Sequence, residues 1–555
     1  MTFTGLGVGS SAAIGPAVWM PPPLPDPSEA PSSLTPAEEF ERANTALSDV
    51  AAELAERATR ADVTGADVLL AQSLMARDPV ILEGVQEATA RGLTAARAVH
   101  EAFASIVSLL AALGGTQGAR AADFADVSRR VVARIQGVPV PGVPERDEPF
   151  VLIAHDLAPA DTALLPEGRV LAFVTVEGSP TSHTAILARA KGVPCVVACE
   201  EVVDVAEGEL VLVDAAAGVV ARVGSDIDMD TAERLLARRA ARREAVSGPG
   251  RLADGTSVPL YANIGSLEDA TRAREAGAEG VGLLRTEFLY IGASSAPTVD
   301  QQAAEYGEIF AQFPDQVVTA RTLDSGADKP LSFLNLGREE NPALGVRGMR
   351  VGKTHLQVLD DQLEAIGRVT AESSARVRVM APMVADAEEA AWFVERARAH
   401  GASAAGVMVE VPACALAAEA VMDVVDFVSI GTNDLTQYTM AADRQHGGVA
   451  QYQDPWHPSV LRLIAMVGDA GGRAGKPVGV CGEAAAEPLL AVVLVGIGVT
   501  SLSMTPAALA DVRGELARWD LAGARALAEA VMTARGAKEA RGIATERAPE
   551  LRVAP

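Results

Sequence analysis

A histidine on a glycine-containing loop is the first residue of this sequence whose setting suggests chemistry. The segment Gly178-Ser-Pro-Thr-Ser-His183 follows an apolar, β-branched run at 169–176 that predicts a buried strand. Residues 185–190 have a helical pattern that ends at Gly192. His183 is therefore expected at a helix N-terminus, where unpaired N–H groups and the helix dipole favour an anion. A histidine that merely helps to cap a helix would produce the same pattern.

A second group of reactive side chains lies in the C-terminal half, and most of its members directly follow an apolar strand pattern. The group consists of Arg285, Arg321, Arg347, Glu410, Asn433, Asp434, Arg444 and Cys481. Guanidinium groups bind carboxylate and phosphate through a planar fork, and two acids on different strands can share one Mg²⁺. Arginines beside such a cation are what phosphoryl transfer requires. The structural alternative is a ring of salt bridges, with Cys481 as a small buried apolar residue.

The element that would position this second group is a barrel. From Val258 onward, strand patterns alternate with helix patterns. Eight such βα units over roughly 280 residues have the size and rhythm of a (β/α)₈ barrel. Functional residues of these barrels collect at the carboxyl ends of the strands, so we expect the polar side chains there to converge. The candidate strands are 258–263, 280–285, 316–322, 376–382, 405–410, 426–431, 477–481 and 498–503.

The N-terminal part of the chain predicts a smaller α/β domain that a helical insertion interrupts. Strand patterns occur within residues 1–20 and resume at 150–154. Between them, Thr35-Pro36-Ala37-Glu38 is a capping box, and apolar residues recur at helical spacing after it. We predict a helical bundle over 33–140. A charged helix at 228–246 then connects this part to the barrel. The first apolar helix face comprises Phe40, Ala43, Leu47, Val50 and Leu54.

Composition excludes several classes of protein. The 555 residues contain 47 Lys and Arg against 73 Asp and Glu, and the net charge of −26 argues against nonspecific nucleic-acid or anionic-membrane binding. A basic protein partner remains compatible with that charge. Four cysteines are too few for a disulfide framework. Because no secretory signal and no uncharged apolar run of membrane-spanning length is visible, we expect a cytoplasmic protein without membrane insertion.

The motifs resemble those of the phosphoenolpyruvate-utilising phosphotransferases, and their arrangement resembles the Enzyme I family of the bacterial sugar phosphotransferase system. The resemblance runs from the opening GLGVGSSAAIGPA across nearly the whole chain. One departure is Ser179-Pro180, where the family usually has Gly-Arg. The other segments that carry the resemblance are GSPTSHTAILARAKGVP, EGVGLLRTEFLY, RTLDSGADKPL, ENPALGVRGMR, GVMVEVP, FVSIGTNDLTQYTMAADR and GVCGEAAAEP.

The resemblance implies a multidomain α/β architecture. Residues 1–32 and 141–226 would form a phosphohistidine α/β domain, and the helical insertion at 33–140 would bind a phosphocarrier protein. Residues 227–255 would be a helical linker, and 256–555 would be the phosphoenolpyruvate-binding (β/α)₈ barrel. Because His183 must face both the barrel and a protein-sized acceptor, we expect its domain to swivel as a rigid body.

The resemblance also implies an activity. The enzyme would transfer the phosphoryl group of phosphoenolpyruvate to its own histidine and then to the histidine-containing phosphocarrier protein HPr, releasing pyruvate. The family further implies dependence on Mg²⁺ and a homodimer formed through the barrel. In these roles His183 would carry the phosphoryl group, Cys481 would protonate the enolate, Arg285, Arg321, Asn433, Asp434 and Arg444 would bind phosphoenolpyruvate, and Glu410 and Asp434 would hold Mg²⁺.

Two other classes of protein share parts of this pattern. Pyruvate phosphate dikinase and phosphoenolpyruvate synthase combine the histidine domain and the barrel with a large nucleotide-binding domain. In this sequence no glycine-rich nucleotide loop stands out. A catalytically inactive regulatory scaffold would be expected to lack ligand residues, and all the expected positions are filled here.

Overall fold

The structure, a computed structural model, describes most of the chain. His183 and the predicted helix at 185–190, apart from residue 188, lie outside the described residues, as do residues 59–69 and 71 within the predicted helical bundle. The described residues are 2–9, 11–21, 24–58, 70, 72–113, 115–139, 143–144, 146, 148–155, 168–178, 188, 192–215, 217–245, 248–290, 293, 295–326, 331–334, 336–337, 339–444, 449 and 452–548.

Strands and helices occur in the order that the sequence patterns predict. The strands are β1 Phe3–Thr4, β2 Leu6–Val8, β3 Ala12–Trp19, β4 Phe150–Ala154, β5 Val170–Thr175, β6 Cys195–Val197, β7 Leu210–Asp214, β8 Val219–Arg222, β9 Leu260–Ile264, β10 Gly280–Arg285, β11 Val317–Arg321, β12 Arg376–Ala381, β13 Ala405–Val409, β14 Val428–Ile430, β15 Val478–Val480 and β16 Ser501–Met504. The helices are α1 Pro36–Ala58, α2 Pro79–Ala90, α3 Ala95–Leu113, α4 Gly115–Gln136, α5 Met229–Ala245, α6 Leu267–Glu275, α7 Val299–Phe310, α8 Met349–Thr354, α9 Leu356–Glu372, α10 Ala387–Ala399, α11 Pro412–Leu416, α12 Ala418–Val424, α13 Thr432–Met440, α14 Pro458–Ala474, α15 Pro488–Gly496, α16 Leu509–Leu516, α17 Leu521–Val531 and α18 Ala537–Arg547.

The chain divides into two compact units, and the smaller one, Val18–Val170, contains the helical bundle. Helix α1 begins with the predicted capping box, in which the Thr35 N–H donates to Glu38 Oε2 at 2.8 Å and the Glu38 N–H donates to Thr35 Oγ1 at 3.3 Å. The predicted apolar face of α1 packs into the core of the bundle, with Leu47 and Leu54 each 1% exposed. The domain bounds 1–32, 33–140, 141–226, 227–255 and 256–555 remain predictions.

The larger unit consists of Met1–Ala17 and Leu171–Pro555. Its opening strands pair with strands from about two hundred residues later, as expected from the break that follows them. Strand β1 pairs antiparallel with β8, β2 with β6, and the first half of β3 with β7. Strand β5 runs parallel to β6. These long-range pairings join the beginning of the chain to the α/β part that surrounds residue 183 in sequence.

Strands β9 to β16 form a closed barrel in which every pairing is parallel. The barrel confirms the predicted eight βα units. The last strand begins at Ser501 and not at the predicted residue 498, because Gly498 has φ +96° and the Val499 N–H bonds back to Leu494 O at the end of α15. None of the described helices combines the length and apolarity that crossing a membrane requires.

Successive side chains of each barrel strand point to opposite faces, and this alternation creates two apolar regions. On β13, Val407 and Val409 belong to the large core between the barrel and its helices, whereas Met408 belongs to a small cluster with Cys481. Strand β12 shows the same parity, with Val379 outward and Met380 inward. This period of two decides which side chains reach the interior of the barrel and its mouth.

Candidate active site

Strand parity brings four of the predicted site residues to the barrel mouth. Arg285 follows the inward-facing Leu283 by two positions, and Glu410 follows the inward-facing Met408. Arg321 alternates with Val318 and Ala320, which face the outer core, and Cys481 alternates with Val478 and Val480 in the same way. Since all these strands are parallel, their carboxyl ends meet at one end of the barrel.

Arg321 is held between two acidic residues that follow neighbouring strands. Its Nη2 donates to Glu287 Oε1 at 2.9 Å, and its Nη1 lies 3.4 Å from Asp324 Oδ2. Burial alone would lower the pKa of Arg321, but the nearby carboxylates, led by Glu287, outweigh that effect and raise it. The buried Nε of Arg321 has no partner among the described residues. The guanidinium is therefore charged, fixed and not fully satisfied.

Arg347 extends this set of charges to the metal-ligand candidate Asp434. Its Nε and Nη2 donate to the two oxygens of Asp324 at 3.2 and 3.1 Å, and its Nη1 donates to Asp434 Oδ1 at 3.0 Å. Only 1% of the Arg347 side chain is exposed, so it has almost no contact with water. Arg347 thus orients two carboxylates, although the sequence had made it a candidate for binding an anion directly.

The two carboxylates expected to hold a metal differ in their surroundings. Glu410 is buried, and its Oε1 accepts the Met383 N–H at 2.6 Å. Burial raises the pKa of Glu410, and the charges of Asp434 and Asp324 add to the rise. Burial would also raise the pKa of Asp434, but Arg444 and Arg347 outweigh it and lower that pKa.

The donor set of this pair is compatible with Mg²⁺. Among the described residues, no donor contacts Glu410 Oε2 or Asp434 Oδ2, so each carboxylate keeps one oxygen available. The described part of the chain contains no cluster of three or more His, Cys, Asp or Glu side chains that could enclose a metal ion. Mg²⁺ is commonly held by one or two carboxylates, and water and substrate oxygens supply its other ligands.

Cys481 lies between this charged rim and an apolar floor inside the barrel. It is 3% exposed and clusters with Leu283, Met380, Met408 and Phe427. Its Sγ is 3.6 Å from the carbonyl oxygen of Ile430 and can donate to it. Burial raises the pKa of the Cys481 thiol to about 11, although Ser429 and the nearby Arg321 oppose the rise. At neutral pH the residue therefore carries a proton that it can donate.

Two hydrogen bonds connect the segments that follow β14 and β15, next to Cys481 in the sequence. Asn433 Nδ2 donates to Glu483 Oε1 at 3.4 Å, and the Glu483 N–H donates to Asn433 Oδ1 at 3.0 Å. A glycine is required at position 482, where the two loops meet, because a Cβ there would lie 1.8 Å from Thr432 Oγ1 and 2.6 Å from Thr432 N. The close approach fixes Asn433 relative to Cys481.

The remaining predicted residues are placed less tightly or lie outside the described chain. Arg285 reaches solvent at the rim, and its partial enclosure by protein, followed by the Arg321 charge, lowers its pKa. The Arg444 N–H donates to Gln437 Oε1 at 2.9 Å.

His183 lies outside the described residues. His457, which would be the next histidine to test as a phosphoryl carrier, uses Nδ1 to accept the Ser459 N–H at 3.2 Å and caps α14.

Comparison with known proteins matches three family models. Residues 239–521 match "PEP-utilising enzyme, PEP-binding domain", 146–218 match "PEP-utilising enzyme, mobile domain" and 4–118 match "PEP-utilising enzyme, N-terminal". A phosphoenolpyruvate-protein phosphotransferase from Streptomyces coelicolor is 49% identical over 98% of both chains. The chain belongs to the phosphoenolpyruvate-protein phosphotransferase family.

Two more distant relatives are also phosphoenolpyruvate-protein phosphotransferases. The enzyme from Haloferax volcanii is 38% identical over 96% of this chain and 97% of its own length. The enzyme from Geobacillus stearothermophilus is 37% identical over 85% of both chains. The resemblance inferred from the sequence motifs is thereby confirmed, as is the multidomain α/β fold with a C-terminal barrel.

The sequence of this phosphotransferase indicates the candidate site residues themselves, but not the residues that hold them in place. Glu287 and Asp324 were visible at strand ends, but nothing in the sequence indicated that they flank Arg321. The Met383 N–H that binds Glu410 depends on a left-handed backbone at Met383, with φ 57°. A methionine after a proline gives no signal of that geometry.

We predict that Asp324→Asn lowers the free energy of unfolding by about 3–5 kcal/mol, because it leaves Arg321 and Arg347 without the buried charge between them. Denaturant unfolding of the barrel measures this loss. Asp300→Asn is the matched control, since Asp300 pairs with Arg368 at 3.0 Å but is 83% exposed, and it should be nearly neutral. Equal losses of unfolding free energy in the two variants would contradict the expectation that burial makes the Asp324 ion pairs important for stability.

We predict that the Cys481 thiol titrates near pH 11 in the folded phosphotransferase. The pKa of an unfolded cysteine is about 8.5. Between that pH and the higher pKa of the folded state, the folded protein retains a proton that the unfolded chain has released. The stabilising contribution is complete below the unfolded pKa and is lost as the pH rises through the folded pKa. Ultraviolet absorbance of the thiolate, recorded as wild type minus Cys481→Ala, measures the midpoint. A midpoint near the unfolded value would contradict the assigned environment.

Proposed function

We propose that this protein takes the phosphoryl group of phosphoenolpyruvate onto His183, releases pyruvate, and passes the group to the histidine-containing phosphocarrier protein HPr. The observation that carries the proposal is the convergence of Arg285, Arg321 and Cys481 with a pair of acidic residues at the barrel mouth. Two guanidinium groups match the carboxylate and phosphate of phosphoenolpyruvate. A protonated thiol beside them matches the need to protonate an enolate.

The chemistry assigns one task to each group. Arg285, Arg321, Asn433 and Arg444 bind and orient phosphoenolpyruvate. The Nε of Arg321, which has no partner among the described residues, supports a ligand at that position. The bond between phosphorus and the enol oxygen breaks as a bond forms between phosphorus and the His183 imidazole. The methylene carbon of the enolate then takes the Cys481 proton, which yields pyruvate and leaves a thiolate that solvent reprotonates.

Glu410 and Asp434 would hold Mg²⁺ through the carboxylate oxygens that no donor among the described residues contacts. When bound, the cation neutralises charge on substrate oxygens. The pair fits this task because one carboxylate has a raised pKa that a cation would counteract, while the other is kept ionised by arginines. The family's homodimer through the barrel remains a prediction, which sedimentation of the purified protein would check.

The helical bundle offers a surface for the phosphocarrier. Val80 is 62% exposed at the start of α2, and Leu74 before it is 71% exposed. Glu83 and Glu87 follow Val80 at helical spacing and are also exposed, so acidic and apolar groups share one face. Such a face suits a basic partner with an apolar centre. We also expect Asp67 and Asp78 to contribute to this face. Asp78 caps α2 by accepting the Val80 N–H at 2.8 Å, and Asp67 lies outside the described residues.

We expect phosphoenolpyruvate labelled on its phosphate to label the wild-type protein in the presence of Mg²⁺. His183→Ala should accept no label because the receiving nitrogen is absent, and chelation of Mg²⁺ should prevent labelling of the wild type. Acid-labile label on purified protein is the measurement, and thermal unfolding checks that the variant is folded. Labelling from ATP but not from phosphoenolpyruvate would favour the dikinase-like alternative, and no labelling from either would favour the inactive scaffold.

We expect the double charge reversal Glu83→Lys with Glu87→Lys to leave self-labelling intact and to slow transfer to a phosphocarrier by about tenfold or more, because the reversed charges repel a basic partner. Transfer of label to purified HPr is the measurement. Glu41→Lys is the control, because Glu41 is an exposed acid on α1 outside the proposed face. If the control and the double variant slow transfer equally, the face is wrong.

A further inference from the structure

Arg541 on the C-terminal helix α18 joins two carboxylates from different barrel loops. Its Nη1 donates to Glu487 Oε1, and its Nη2 donates to Asp454 Oδ1 at 3.3 Å. The guanidinium carbon also lies 5.3 Å from the centre of the Trp456 ring, whose Nε1 donates to the same Glu487 oxygen at 2.7 Å. Trp456 is fully buried. The arrangement is rigid because a planar cation is held by two acids and an aromatic face.

The two carboxylates belong to the segments that carry proposed active-site residues. Glu487 lies six positions after Cys481 and directly follows the turn Glu483–Ala486, whose three alanines are buried. Asp454 directly follows Gln453, and the buried Gln453 side chain donates to the carbonyl of Ala442, two positions before Arg444. One guanidinium on the C-terminal helix therefore connects the Cys481 segment with the Arg444 loop.

Removal of this cation would leave two acids facing one another with little water. The exposed fractions of the Arg541, Asp454 and Glu487 side chains are 16%, 15% and 19%. Burial alone would lower the pKa of Arg541, but Glu487 and Asp454 outweigh it and raise it. Without Arg541 the two carboxylates would repel each other and move apart to regain hydration. Any such movement would shift the loops to which they belong.

We propose that Arg541 is a positioning residue that fixes Arg444 relative to Cys481 and thereby sets the affinity of the barrel for phosphoenolpyruvate. The proposal rests on the proposed function, since it takes Arg444 as a substrate ligand. Arg541 itself contacts neither residue. It acts through Asp454 and Glu487, and displacement of about an ångström at a binding group is enough to weaken substrate binding strongly.

The test is the rate of self-labelling at increasing concentrations of phosphoenolpyruvate with saturating Mg²⁺. Arg541→Ala should raise the half-saturating concentration about tenfold and leave the final labelled fraction unchanged. Arg541→Lys keeps a cation but loses the fork, so its half-saturating concentration should lie between those of the wild type and Arg541→Ala. Should Arg541→Ala fail to fold, the lysine variant carries the test on the same measurement.

Lys538→Ala is the matched control, because it removes an exposed cation from the same helix. Its half-saturating concentration should equal that of the wild type. A purely structural role for Arg541 would lower the unfolding temperature and the labelled fraction but leave the half-saturating concentration unchanged, and that result would overturn the proposal. A wild-type protein that accepts no label from phosphoenolpyruvate would refute the proposed function instead.

Discussion

A chain of five alternating charges crosses the barrel mouth, and the geometry of the candidate site depends on it. Glu287, Arg321, Asp324, Arg347 and Asp434 follow one another with ion-pair distances of 2.9 to 3.4 Å. Each inner member is buried, so the cost of losing its hydration must be offset by both neighbours. Alternation is the arrangement that satisfies this requirement. The result is a guanidinium at the barrel mouth, that of Arg321, whose position is fixed by the acidic residues around it.

The same charges divide the two metal-ligand candidates into different electrostatic settings. Asp434 accepts a hydrogen bond from Arg347 and is kept ionised. Glu410 accepts a backbone N–H as its one hydrogen bond among the described residues, and its pKa is raised. Their mutual repulsion makes the pair a favourable place for a divalent cation. Cys481 lies deeper, on an apolar floor where its proton is retained. The change from a charged rim to an apolar floor separates the proposed binding groups from the proposed proton donor.

Barrel strands fix only the base of each loop, so the functional ends must be positioned by contacts between loops. Gly482 and Thr432 approach so closely that no Cβ fits between them, and Asn433 and Glu483 exchange hydrogen bonds above that contact. Arg541 adds a second connection from outside the barrel. These contacts explain how residues from separate βα units hold a common geometry, as phosphoryl transfer requires.

Local pattern determined much of this protein. Alternating strand and helix signals predicted the eight barrel units, capping residues predicted the start of α1, and strand parity suffices to place Arg285, Arg321, Glu410 and Cys481 at one end of the barrel. These features depend on neighbours in sequence, which a single chain displays. The motifs also identified the family, and several of them follow barrel strands, where this fold collects chemistry.

Only the tertiary structure decided which charges pair. Asp324 could have bound either arginine, and it binds both; Arg347 could have faced an anion, and it orients Asp434 instead. Arg541 lies 87 positions from Asp454 and 54 from Glu487, and nothing in the sequence connects them. Ion pairs form between the side chains that burial brings within a few ångströms of one another. That proximity arises from closure of the barrel and from packing of α18 against its helices.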